Sequence, residues 1–75
     1  MDIDRKQKES LLEILNNSLS MQRNATDDND YQGEMINLAI RESIIRVLGI
    51  LGFYVDKETD SDGDVVRYTD IRRKI

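Results

Sequence analysis

Five carboxylates alternate through Asp56-Lys57-Glu58-Thr59-Asp60-Ser61-Asp62-Gly63-Asp64, with a single glycine before the last of them. Carboxylates this close together can ligate a hard cation, share proton-transfer work, or lie solvated on a loop. A calcium loop of the EF-hand kind needs oxygen ligands at positions 1, 3 and 5, glycine at 6, an aliphatic residue at 8 and a bidentate Glu at 12. Counted from Glu58, the interior fits: Asp60, Asp62, Gly63 and Val65 fall where they should. The ends do not. Glu58 replaces the usual Asp, Thr69 supplies no bidentate carboxylate, and Gly52 interrupts the approach of a preceding helix. A frame starting at Asp56 puts Ser61 in the glycine position and Arg67 at position 12, which is worse. The stretch reads better as the tip of a β-hairpin. Asp60-Ser61-Asp62-Gly63 forms a four-residue turn, and glycine supplies the left-handed residue of a G1 bulge. Weak divalent binding by Glu58, Asp60, Asp62 and Asp64 is the alternative. No metal centre or cofactor is expected.

Other chemistry has less to work with. The chain has no Cys and no His, which removes disulfides and nearly all zinc, haem and iron–sulfur sites. A general base would have to be a carboxylate, lysine or tyrosine with a shifted pKa, and a 75-residue chain offers little burial to shift one. The serines have no histidine partner and no glycine-rich phosphate loop is present, so no enzyme is expected. Possible phosphate contacts are Arg67, Arg72, Arg73 and Lys74 near one end, with Arg5, Lys6 and Lys8 near the other. Against them stand a net charge of −4, the absence of Trp and a single Phe. Nucleic-acid binding rests on neutralising phosphates and stacking bases, so it is the second reading.

These residues need elements to position them. Leu11, Leu12, Ile14, Leu15 and Leu19 recur at helical spacing, and Asp4 with Gln7 has the form of a capping box. The pattern predicts helix 1 from about 4 to 23. Residues 24–29 fall in the polar run Asn24-Ala25-Thr26-Asp27-Asp28-Asn29-Asp30, which is expected to be an acidic loop that caps the next helix.

Helix 2 is expected over about 30–51. One broad apolar stripe holds Ile36, Ala39, Ile40, Ile44, Val47, Leu48, Ile50 and Leu51. A narrower stripe of Leu38 and Ile45, flanked by Arg41 and Glu42, lies nearly opposite. A helix apolar on two sides needs two neighbours, and helix 1 covers only one. The C-terminal hairpin or a second subunit must cover the other, and where the hairpin does not cover it fully, Leu38, Arg41, Glu42 and Ile45 are the predicted contacts to a partner or a second copy. Beyond Gly52 the period changes to alternation rich in β-branched and aromatic residues, giving a β-hairpin over 53–71 and a basic tail over 72–75.

The predicted fold is mainly α, within the α+β class: a single domain with an antiparallel two-helix hairpin followed by a short C-terminal β-hairpin, associating as a dimer. No leader, glycosylation or membrane span is expected, because the first ten residues are charged throughout and Arg46 interrupts the longest apolar run. The expected role is a small cytoplasmic, non-enzymatic adaptor, regulator or inhibitor. It would bind another protein through a helix face and its acidic loops. Small size, acidity and lack of Cys resemble the inhibitory proteins of phages and mobile elements, a likeness of composition with no motif behind it.

Overall fold

The first helix begins where its reciprocal cap places it. The Gln7 backbone N–H donates to the Asp4 carboxylate at 2.7 Å, and the Asp4 N–H donates to Gln7 Oε1 at 3.1 Å. Two of the backbone donors that a helix start leaves unpaired are satisfied in this way. The computed structural model describes residues 2–75 and contains α1 (Arg5–Asp27), α2 (Tyr31–Ile50), β1 (Phe53–Thr59) and β2 (Val65–Arg73). Two helices are followed by a two-stranded antiparallel sheet, as the period change at Gly52 predicts. Among the described residues no helix is long and apolar enough to cross a membrane.

α1 runs to Asp27, four residues past its expected end, and the expected acidic loop of 24–29 shrinks accordingly. Packing outweighs local polarity here. Ala25 is buried, and the Thr26 hydroxyl donates back to the Gln22 carbonyl at 3.0 Å instead of breaking the helix. The helix then closes in a Schellman motif: Asn29 takes a left-handed φ of 58°, its N–H donates to the Thr26 carbonyl, and the Asp30 N–H donates to the Ala25 carbonyl. Asp30, rather than Asn29 or an earlier Asp, caps α2 by accepting from the Gly33 N–H at 3.0 Å.

The turn between the strands is the one expected. The Gly63 N–H donates to the Asp60 carbonyl, the Asp60 N–H donates to the Asp64 carbonyl, and Gly63 carries a φ of 86° that a side chain would strain. Strand 2 extends to Arg73, so Arg72 and Arg73 belong to the sheet and not to a tail. The simple alternation predicted for this strand also fails. Asp56 pairs with Asp70 but Lys57 with Tyr68, and Glu58 pairs with Arg67 but Thr59 with Val65, leaving Thr69 and Val66 as bulges. Each bulge adds a residue and flips the facing. The inward side chains are therefore Val65, Tyr68 and Ile71, three apart instead of two.

The hairpin lies across both helices. One core cluster joins Leu15 and Leu19 of α1 to Tyr68, and the other joins Leu48 of α2 to Phe53 and Ile71. Leu12, Ile44 and Val55 touch both clusters.

Candidate protein-interaction surface

Of the two covers expected for the narrow stripe of helix 2, the C-terminal hairpin takes it, through Tyr68. The narrow stripe faces inward: Leu38 and Ile45 are half-buried, Arg41 is 7% exposed, and Ile45 packs against the first core cluster. Of the predicted partner contacts only Glu42 is exposed. The polar groups on this face explain the choice. Ser18 Oγ donates to the Asn37 carbonyl at 2.8 Å, and Arg41 Nε donates to the Tyr68 hydroxyl at 3.2 Å. Tyr68 therefore reaches a partner only if Arg41 points into the domain.

The broad stripe is correspondingly outside. Ile36 is 59% exposed, Val47 54% and Ile50 77%, and Ala39, Ile40, Ser43 and Leu51 are exposed with them. Only Leu48 of that stripe is buried, with Ile44 half-buried. Towards the C-terminal end of α2 the stripe forms one wall of an apolar groove of about 850 Å³, whose other wall is Ile3, Gln7, Ser10 and Leu11. Singly exposed aliphatics are ordinary on a protein surface, but a contiguous row of them marks association.

The second concavity, about 930 Å³, sits at the other end of the helix pair and contains Arg41, Arg23 and Gln22. Arg41 Nη1 and Gln22 Oε1 are buried there without a hydrogen-bond partner among the described residues. Asp27, Glu34, Asp60 and Asp64 line the same space, so its charge is mixed and it does not form an anion site.

The acidic tip has structural employment. Asp60 Oδ1 accepts from the backbone N–H groups of Asp62 and Asp64, at 2.9 and 3.0 Å, and so builds the turn. Carboxylate oxygens of Asp60, Asp62 and Asp64 come within 4.8 Å of one another on an exposed loop. Glu58 stands apart from them. Its carboxylate takes both Arg67 donors at 3.1 Å, across the ladder where the two residues are paired.

Among the described residues, all the other predicted phosphate contacts but Lys6 are also engaged within the chain, Arg5 with Glu9 among them. Arg72 forms a two-pronged pair with Asp56, Arg73 pairs with Asp2, and Lys74 Nζ lies 5.1 Å from the Tyr54 ring centre and donates to the Gly49 carbonyl at 3.3 Å. Lys8 reaches Asp70 at 2.9 Å. The structure thus spreads Arg67, Arg72, Arg73 and Lys74 along the hairpin and its end, each beside its own acceptor.

These pairs shift titration. The Arg72 guanidinium hydrogen-bonded to Asp56 holds that carboxyl below its ordinary 3.8, and the Lys8 ammonium, helped by the Ile71 N–H, does the same for Asp70. Asp56 raises Arg72 in return. With both acids depressed in the folded state, the unfolded chain binds more protons in acid. Their contribution is complete above about pH 4 and is lost as pH falls through the folded values. The melting temperature is expected to decline from about pH 5 towards about pH 2, and Asp56→Asn with Asp70→Asn to flatten that decline. An unchanged acid limb in the double variant would show that neither pair contributes. The effect is modest and weakened by salt, because both pairs lie in water.

Asn16 and Arg23 of α1 carry roles that sequence reasoning missed. Asn16 Nδ2 donates to the Tyr68 carbonyl at 3.0 Å while Asn16 Oδ1 accepts from the Tyr68 N–H at 2.7 Å. Arg23, seven residues on, donates to the Val65 carbonyl. Two polar side chains one heptad apart thus serve as a third strand along the outer edge of β2. Both border the apolar face of α1 beside Leu12 and Leu19, one heptad apart, which was the only available signal.

Comparison with family models, with curated proteins and with solved structures finds no match to this chain.

Proposed function

We propose that this chain is a small non-enzymatic protein-interaction module, an adaptor, regulator or inhibitor of the cytoplasm, whose working surface is the outer face of α2. The observation that carries this is the exposure of Ile36, Ile40, Val47 and Ile50 along α2, with Leu51 at its C-terminal cap. Exposing such a row costs solubility unless something covers it. Intramolecular engagement of Arg67, Arg72 and Arg73 favours this reading over phosphate binding, since each would have to leave a carboxylate first. The lack of His and Cys supports a role without catalysis.

The tagged chain in cell extract is expected to run in a complex heavier than its own 8.7 kDa, and Ile40→Glu to remove that complex without changing the helical circular dichroism. A complex that survives Ile40→Glu, or its absence with the unmodified chain, sinks the reading.

A further inference from the structure

Building on that reading, we infer that the occupant of the α2 face is a second copy of this chain, packed with its α2 antiparallel to the first. Spacing is the first argument. Ile36, Ile40, Ser43, Val47 and Ile50 follow one another at intervals of four, three, four and three residues, the seam of a helix pair. A helix that merely covers its own domain keeps such a seam inside. Here the whole seam faces out, and the buried side of the same helix is a different set of residues.

The surface is also too large for a chain that remains alone. The molecule exposes 5611 Å², whereas a compact monomer of this mass exposes about 4700 Å². The excess, roughly 900 Å², is close to the roughly 800 Å² that each partner gives to a stable interface. Shape agrees: the radius of gyration is 13.0 Å, against about 11 Å for a compact domain of this length.

Charge selects the occupant and its direction. Glu42 and Arg46 lie one turn apart on the same flank of the seam, exposed, and neither has an ion-pair partner among the described residues. An antiparallel two-fold sets this flank against its own reverse, so that Glu42 of each copy meets Arg46 of the other. A parallel pair does not bring this flank against itself. An anionic membrane is a poor alternative, because interfacial helices flank their apolar face with several Lys and Arg. Here the flank is neutral and the adjoining groove carries Asp2 and Asp4 beside Lys6. With α1 of each copy alongside, the product is a four-helix bundle with one β-hairpin on each side.

Sedimentation equilibrium of the purified full chain, over about 10 to 500 µM, is expected to give a mass twice 8.7 kDa. Val47→Glu is expected to raise the concentration needed for pairing at least about tenfold, with the fold retained because Val47 is a surface residue. Direction is read by oxidising single-cysteine variants, which is clean in a chain with no native Cys. Glu42–Arg46 pairing puts the axis beside Ile44, so Ser43→Cys should cross-link. Ile36→Cys should not, since the two copies of that residue stand about 24 Å apart along the helices.

A purified chain that stays at 8.7 kDa overturns the inference, as does a dimer indifferent to Val47→Glu. Cross-linking through Ile36→Cys overturns the antiparallel arrangement. A purified monomer whose complex in extract is still lost with Ile40→Glu would remove the second copy alone and leave the interaction surface standing. Survival of that complex would remove both.

Discussion

Leu15→Ala is expected to unfold a large fraction of the molecules at physiological temperature. Leu15 is the largest side chain in the domain with no exposure at all, and it touches the core from α1 at the point where Tyr68 of β2 crosses. Truncating a sealed leucine removes its transfer free energy and leaves a cavity, together about 3–5 kcal/mol. A 75-residue chain has only about 4–11 kcal/mol in total. The melting temperature should fall by roughly 15–30 °C, followed by circular dichroism at low protein concentration so that association contributes little. Ile14→Ala is the control. That residue is 48% exposed, one position earlier on the same helix, and its truncation should cost under about 1 kcal/mol. Equal losses at the two positions would mean that α1 does not present Leu15 to the hairpin.

The same thinness of core bears on association. Leu15, Leu19, Leu48, Phe53, Tyr68 and Ile71 are the large apolar residues buried within the chain, while a comparable set of aliphatics stands outside on α2. Small domains without disulfides or metal gain stability by pairing. A second copy on α2 would add mass-action stabilisation, and the melting temperature should then rise with concentration.

Local chemistry made much of the fold legible. Asp4 and Gln7 announced the start of α1, Gly52 the end of α2, and Asp60 to Gly63 the turn, because each depends on neighbours only a few residues away. The facing of α2 was not legible. A helical wheel assigns the inward side to the most apolar arc, and here the inward side contains Asn37 and Arg41. Their burial is set by Ser18, nineteen residues away, and Tyr68, twenty-seven away, which periodicity along one helix does not register. The broad stripe was correctly seen as apolar and the helix correctly seen as two-sided. The hairpin, one of the two covers expected for the narrow stripe, takes it, and the broad stripe is the side that stays exposed. Strand 2 misled for a similar reason: the bulges at Val66 and Thr69 depend on pairing with β1.

Asn16→Ala should be the most damaging substitution of a polar residue, by about 2–4 kcal/mol, although the side chain it removes is small. One amide satisfies both backbone groups of Tyr68 on the open edge of a two-stranded sheet. Alanine would leave a part-buried N–H and carbonyl without partners, and each such group costs about 1–3 kcal/mol. Asn16→Asp separates this account from simple packing. An aspartate has nearly the same shape and still accepts from the Tyr68 N–H, but when ionised it offers no donor to the Tyr68 carbonyl and sets a negative charge against it. Near neutral pH it should lose part of what alanine loses. Protonation restores a donor and is favoured in the folded chain, so the deficit should shrink as pH falls towards about 4 and be smallest below it, even while the parent chain weakens. If Asn16→Asp matches the parent at neutral pH, the Asn16 donor is not holding the strand. A deficit that stays constant through the acid range would trace the loss to packing instead.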